Sequence, residues 1–142
     1  MLVSQEGYLL WLDVKNLPYS AEEAMRLGVK DHLEAAFITQ GEHSILVVTQ
    51  GGKLIHRTHE SLPPAASLKT RGEPIFSAQR RAQGVRVVSA ASVSQEHWGA
   101  ALHQDGQISL HSVRTIIGAG TIPVTTELVA AAFFAPSAMG NR

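Results

Sequence analysis

"VVTQGGKLIHRT", running from Val47 to Thr58, is an apolar run, a Gln-Gly-Gly turn and a second run that mixes apolar with basic residues. Glycine supplies the positive φ that a tight turn needs, and apolar, β-branched runs on either side supply the strands, so the stretch predicts a β-hairpin. The arrangement occurs three times. "LVSQEGYLLWLDVKNLP" (residues 2–18), "LVVTQGGKLIHRTHESLP" (46–63) and "AALHQDGQISLHSVRTI" (100–116) each place a glutamine two positions before a glycine, at Gln5 and Gly7, Gln50 and Gly52, and Gln104 and Gly106. In each, the glycine opens a second extended run, and the first two copies close on Pro18 and Pro63.

The likeness continues past the turns. Gly28 follows Gly7 by 21 positions and Gly72 follows Gly52 by 20, while the third copy has Gly118 and Gly120 after a shorter gap. A strand-like run then follows each time: "AAFIT" (Ala35 to Thr39), "VRVVSAASV" (Val85 to Val93) and "LVAAAFFA" (Leu128 to Ala135). Three units of about 47 residues fill the chain, with approximate limits 1–43, 44–96 and 97–142. The expected fold is all-β, three propeller-blade-like repeats in a single domain, 1–142. One segment departs from the pattern. Ser20 with Glu23 three residues on forms a capping-box pattern ahead of good helix formers, which predicts a short helix near residues 20–28; a helix reaching Phe37 would favour an α+β domain instead.

Composition narrows the function classes. Cysteine is absent, which removes disulfides and thiolate chemistry and suits a reducing, cytoplasmic setting. The N-terminal residues lack the features of a signal peptide, and no apolar stretch approaches the ~20 residues of a membrane span. The 12 basic and 12 acidic residues cancel overall but not locally: residues 44–86 hold 7 basic and 2 acidic side chains. Those seven, Lys53, Arg57, Lys69, Arg71, Arg80, Arg81 and Arg86, are the candidate phosphate-binding set, provided the fold gathers them on one face.

Catalytic signatures are lacking. His56 and His59 in "HRTHE" do not have the spacing of a helical zinc site, and on a strand they point to opposite faces. "GAGT" (118–121) lacks the third glycine and following helix of a dinucleotide site, and "GGK" (51–53) lacks the frame of a P-loop. No nucleophile elbow occurs, and Asp13, Asp31 and Asp105 have no evident acid–base partners. No catalytic residue, cofactor or metal is expected, and an enzyme ranks third among the readings. Tyr8, Trp11 and Trp98 are assigned to packing between strands or blades.

The repeated unit resembles that of the C-terminal domain of the DNA gyrase and topoisomerase IV A subunits. "ILVVTQGGKLIHRTHESLP" followed by "KTRGEPI", from Ile45 to Ile75, is similar to one such unit, in which an apolar strand ending in Thr, a turn glycine and a basic strand lead to an "RGxPI"-like segment. "GYLLWLDVKNLP" resembles part of another, and "QDGQISLHSV" with "GAGTIP" a third, less basic one. "QRRAQGV" (79–85) matches the gyrase-box motif only at Gln79, Arg80 and Arg81 and follows "RGEPI", so no wrapping function is implied. The resemblance implies a β-propeller whose basic outer rim binds duplex DNA. Domains of that family have about six blades. Three repeats leave open strand edges, which a homodimer would pair into one ring. The alternative function is a protein-interaction module on the same architecture, which the neutral net charge and the weakly basic third repeat favour.

Overall fold

The protein is described by a computed structural model covering residues 1–17, 19–39, 41–62, 64–65 and 67–139; Pro18 and Pro63, the closing prolines, lie outside these. Its elements are β1 (Leu2–Ser4), β2 (Tyr8–Leu10), β3 (Leu33–Ala36), β4 (Ser44–Thr49), β5 (Leu54–Arg57) and β6 (Glu73–Pro74). There follow α1 (Ala78–Ala82), β7 (Val87–Val93), β8 (Trp98–His103), β9 (Ile108–Ser112), α2 (Val113–Ala119) and β10 (Leu128–Phe134). They make three antiparallel blades, in the orders β3-β1-β2-β6, β5-β4-β7 and β10-β8-β9. Each predicted hairpin lies at the heart of its own sheet, flanked by the strand-like run that follows it.

The three turns have one geometry. The N–H of Gly7 donates to Ser4 C=O (3.1 Å), that of Gly52 to Thr49 C=O (2.9 Å) and that of Gly106 to His103 C=O (2.9 Å). Positive φ falls on the glycine alone, at 86°, 84° and 87°, so Glu6, Gly51 and Asp105 keep negative φ and the loop is the three-residue kind closed by a left-handed glycine. The N–H of Gln5, Gln50 and Gln104 then donates to the residue that precedes or opens the flanking strand, at His32, Arg86 and Glu127 C=O.

Two of the turns also receive the next blade. Gly7 C=O accepts from Ile75 N–H (2.8 Å) and Gln5 C=O from Val87 N–H (2.8 Å); Gly52 C=O accepts from Ile122 N–H (2.7 Å) and Gln50 C=O from Leu128 N–H (2.7 Å). A side chain on Gly7 would run into the Phe76 ring, and one on Gly52 into the Ile122 carbonyl. "RGEPI" thus crosses to the first blade, where β6 forms the outer strand: Pro74, lacking an N–H, is tolerated at this edge. "GAGTI" does the same for the second blade through the Lys53–Thr121 bridge.

The core lies between blades. Strand β4 is apolar throughout "ILVV" because both its faces are covered. Ile45 and Val47 join Val3, Leu9, Ile75 and Val87 on one side, whereas Leu46 and Val48 join Val113, Ile116, Ile122 and Leu128 on the other. Each such fully buried aliphatic contributes about 1.5–3 kcal/mol.

The helix expected near residues 20–28 does not form. Met25 is buried and bridges Thr70 in parallel, Arg26 N–H donates to Thr70 C=O, and Lys69 N–H donates to Ala24 C=O. Tertiary pairing has taken the backbone groups that the local capping signal would have used in a helix, a preference worth little per residue. Helices occur elsewhere. Ser77 caps α1 by accepting from Arg80 N–H, and α2 buries Val113 and Ile116 and ends on the left-handed Gly120. The third repeat's second extended run therefore stops at Ser112 rather than continuing to Ile116.

Histidines gather in the third blade. His97 Nδ1 accepts from Ser94 N–H (3.0 Å) and its ring meets His43 edge to face; His103 and His111 both reach Ser109 Oγ through Nε2 at 2.7 Å. Burial, and secondarily the neighbouring His43 or His103, holds His97 and His111 below the ordinary imidazole range. The unfolded chain then takes up protons at higher pH than the folded one. Stability contributed here is complete above about pH 6.5 and is lost as pH falls below it. Thermal unfolding followed from about pH 7.5 to about pH 5.5 should show a falling midpoint, and His97→Gln with His111→Gln should flatten that slope. Gly52→Ala should lower the urea-unfolding free energy by about 3 kcal/mol, through both left-handed strain and the Ile122 carbonyl, while Gly51→Ala changes it by less than about 1 kcal/mol.

Candidate nucleic-acid interface

The junction between the first and second blades collects three of the seven basic candidates. Tyr8, at the start of β2, lies under the guanidinium groups of Arg71 (4.2 Å to the ring centroid) and Arg81 (4.8 Å). Glu6, in the preceding turn, meets Arg71 Nη2 through Oε2 (3.4 Å) and Arg86 Nη2 through Oε1 (3.9 Å). Helix α1 aims Arg81 inward: its Nη1 donates to Phe76 C=O (2.5 Å), and Arg86 Nη1 donates to Arg81 C=O (3.0 Å) and Val85 C=O (2.8 Å). Three cations thus share one carboxylate and one aromatic face. Each exposed cation–π contact stabilises by about 0.5–1 kcal/mol, and the cluster keeps a positive excess.

Two further candidates flank α1 on its other side. Lys53, exposed at the start of β5, and Arg80, exposed on α1, line a groove of about 320 Å³ together with Gln50, Phe76, Gln83 and Glu127. Gln50 fixes this wall: its Nε2 donates to Gly84 C=O (2.6 Å) and its Oε1 accepts from Arg86 N–H (2.7 Å). Among the described residues neither Lys53 nor Arg80 has an ion-pair partner, and Glu127 is the one carboxylate lining their groove.

Arg57 and Lys69 are not drawn into either group. Arg57 Nη1 donates to His56 C=O at the far end of β5, and Lys69 sits in a loop at φ 66°, tied by its backbone to Ala24. The expected single set of seven is therefore a group of five around α1 with two outliers. Tyr8 differs from its expected packing role, since its ring carries cations; Trp11 packs against the first core and His59. The contacts of Glu6, Tyr8 and Gln50 with these arginines are not read from the sequence, although each residue stands in or beside the repeated turn.

Among the described residues no three His, Cys, Asp or Glu side chains come together as a metal site. "GAGT" lies at the C-terminal end of α2, where carbonyls rather than N–H groups face outward, the wrong pole for a phosphate. No helix among the described residues is long and apolar enough to cross a membrane.

Neither a protein-family model nor a curated protein matches the sequence. Seven solved chains match the structure. One of them, the crystal structure of the C-terminal domain of DNA topoisomerase IV, superposes with a TM-score of 0.76 at 18% identity, over 94% of this chain and 46% of that one. This chain spans about half the length of that solved chain. A likeness of this kind establishes the fold: three antiparallel blades of the topoisomerase IV C-terminal type.

Proposed function

We propose that this chain is a noncatalytic duplex-DNA-binding module that contacts the phosphate backbone. The observation that carries the reading is the pair Lys53 and Arg80, exposed and without ion-pair partners among the described residues on one groove, with Arg71, Arg81 and Arg86 gathered nearby. This arginine set is held rigidly, so the positive field at the rim needs little reorganisation when an anion arrives. Arg57 and Lys69 extend the contact outward as secondary sites. Phosphate contacts position a protein without reading bases, so binding should be independent of sequence. The fold shared with a topoisomerase domain supports the same reading by analogy, and a cysteine-free chain suits the cytoplasm. No cofactor enters.

A second reading, protein interaction without nucleic acid, is favoured by the unpaired edge of β9, where Ile108 and Leu110 are exposed. Titration of fluorescent duplex DNA across a salt series separates the two. Affinity should fall steeply as salt rises, and Lys53→Ala with Arg80→Ala should reduce the slope of log K against log salt by about 2, one for each phosphate contact removed. Arg57→Ala with Lys69→Ala should have a smaller effect. Absence of binding at low salt would overturn the DNA reading and leave protein interaction.

A further inference from the structure

The two junctions between the three blades follow one pattern, and the third and first repeats carry the two halves of another. At one end is the turn of the third blade. Gly106 has the φ and the closing hydrogen bond of Gly7 and Gly52, but among the described residues nothing lies within 4 Å of where its Cβ would stand. Ile108, two residues on, is 70% exposed, whereas its counterparts Leu9 and Leu54 are 2% and 8% exposed.

The complementary half lies in the first repeat. "MRLGVKDHL" (25–33) aligns without a gap with "GTIPVTTEL" (120–128), the segment that enters the second turn. Backbone bonds support the register: Gln5 N–H donates to His32 C=O as Gln104 N–H does to Glu127 C=O. Leu33 therefore stands where Leu128 does, yet it is 47% exposed against 2%; Leu27 is 38% exposed against 2% for Ile122. Val29 is fully exposed. Charge agrees as well. Asp105 occupies the turn position of Glu6, which pairs with Arg71 and Arg86 of the next repeat, and the 25–33 segment brings Lys30 with His32 at the position of Arg86.

We propose that residues 25–33 of a second copy of this chain dock on the turn and open edge of β9, and that the reciprocal contact closes two three-bladed halves into one ring. Leu27 N–H would donate to Gly106 C=O and Leu33 N–H to Gln104 C=O, as Ile122 and Leu128 do at Gly52 and Gln50. Arg26 then faces Gln107 as Thr121 faces Lys53. A second copy is favoured over an unrelated partner because backbone register, apolar side chains and charge all match a segment this chain itself possesses. A head-to-tail contact repeated twice about a two-fold axis gives each of the three turns in both copies a neighbouring segment. The inference stands apart from DNA binding and is tested without DNA.

Sedimentation equilibrium should give twice the 15.3 kDa chain mass. The Lys53–Thr121 bridge is flanked by the Ile122–Gly52 and Leu54–Gly120 bonds, so it is a pair lacking mutual hydrogen bonds, with Cα atoms about 4.5 Å apart. That separation suits a disulfide. In this cysteine-free chain, Arg26→Cys with Gln107→Cys should oxidise to a covalent dimer on a non-reducing gel, whereas either change alone should not. Gly106→Ala, which meets no atom of the described chain, should return the protein to monomer mass, whereas Gly84→Ala, with the same left-handed strain at φ 89° and equally open space, should leave the dimer intact. A monomer throughout a dilution series, an open-ended series of larger species, or a disulfide formed within one chain would overturn the proposal.

Discussion

A turn that serves two sheets is the constraint on which this structure depends. Within its own blade the glycine N–H closes the hairpin; toward the next blade the carbonyls of the same glycine and of the glutamine two places earlier accept N–H groups, at Gly7 and Gln5 from Ile75 and Val87, and at Gly52 and Gln50 from Ile122 and Leu128. The incoming segment approaches so closely that a Cβ has no room, against the Phe76 ring at Gly7 and the Ile122 carbonyl at Gly52. Glycine is therefore required twice over, for its φ and for its missing side chain. Since buried backbone acceptors need partners, a blade cannot move away from its neighbour without leaving these carbonyls unpaired.

The same arrangement explains why β4 is the most completely buried strand. A blade with neighbours on both sides buries both of its faces, and "ILVV" meets that demand with Ile45 and Val47 turned one way and Leu46 and Val48 the other. An outer blade has one neighbour and needs one apolar face. Strand β10 accordingly buries Leu128 and leaves Val129 exposed. Blade position along the chain thus dictates burial: the middle blade buries the whole of "ILVV", whereas β10, apolar along its whole length, buries Leu128 alone.

Local chemistry made the hairpins legible, because a Gln-x-Gly turn between apolar runs depends on nothing distant. What depended on distant partners was not legible. The 20–28 segment carries a real helix-start signal in Ser20 and Glu23, but Met25 is worth more buried beside Thr70 than displayed on an isolated turn of helix. "SVRTIIGAG" carried a usable signal in Val113 and Ile116 three apart with Gly120 beyond, and the repeat alignment hid it by treating the stretch as strand. The candidate site divides in the same way. Seven cations in one third of the chain are plain from composition, but the separation of Arg57 and Lys69 from the others follows from the fold: Arg57 stands at the end of β5 away from Lys53, and Lys69 in a loop tied to Ala24. Tyr8 becomes a partner of Arg71 and Arg81 only once "RGEPI" and α1 cross to the first blade.

Edges complete the account of why the two ends differ. Natural sheets protect an open edge with lysine, proline, a bulge or a covering segment. Strand β6 protects the first blade with Pro74, and the Lys53–Thr121 bridge with the Leu54–Gly120 bond beside it covers the start of β5. The "ISLHS" of β9 has no charged residue at neutral pH and no proline, and its pairing with β8 runs regularly from Trp98–Ser112 to Leu102–Ile108 without a bulge. Such an edge, bearing Ile108 and Leu110, is built like the two edges that are covered and unlike one shaped to face water. The turn at Gly106 repeats that distinction at the level of a single residue: a glycine held at φ 87° beside empty space retains the room that, at Gly7 and Gly52, a neighbouring blade requires.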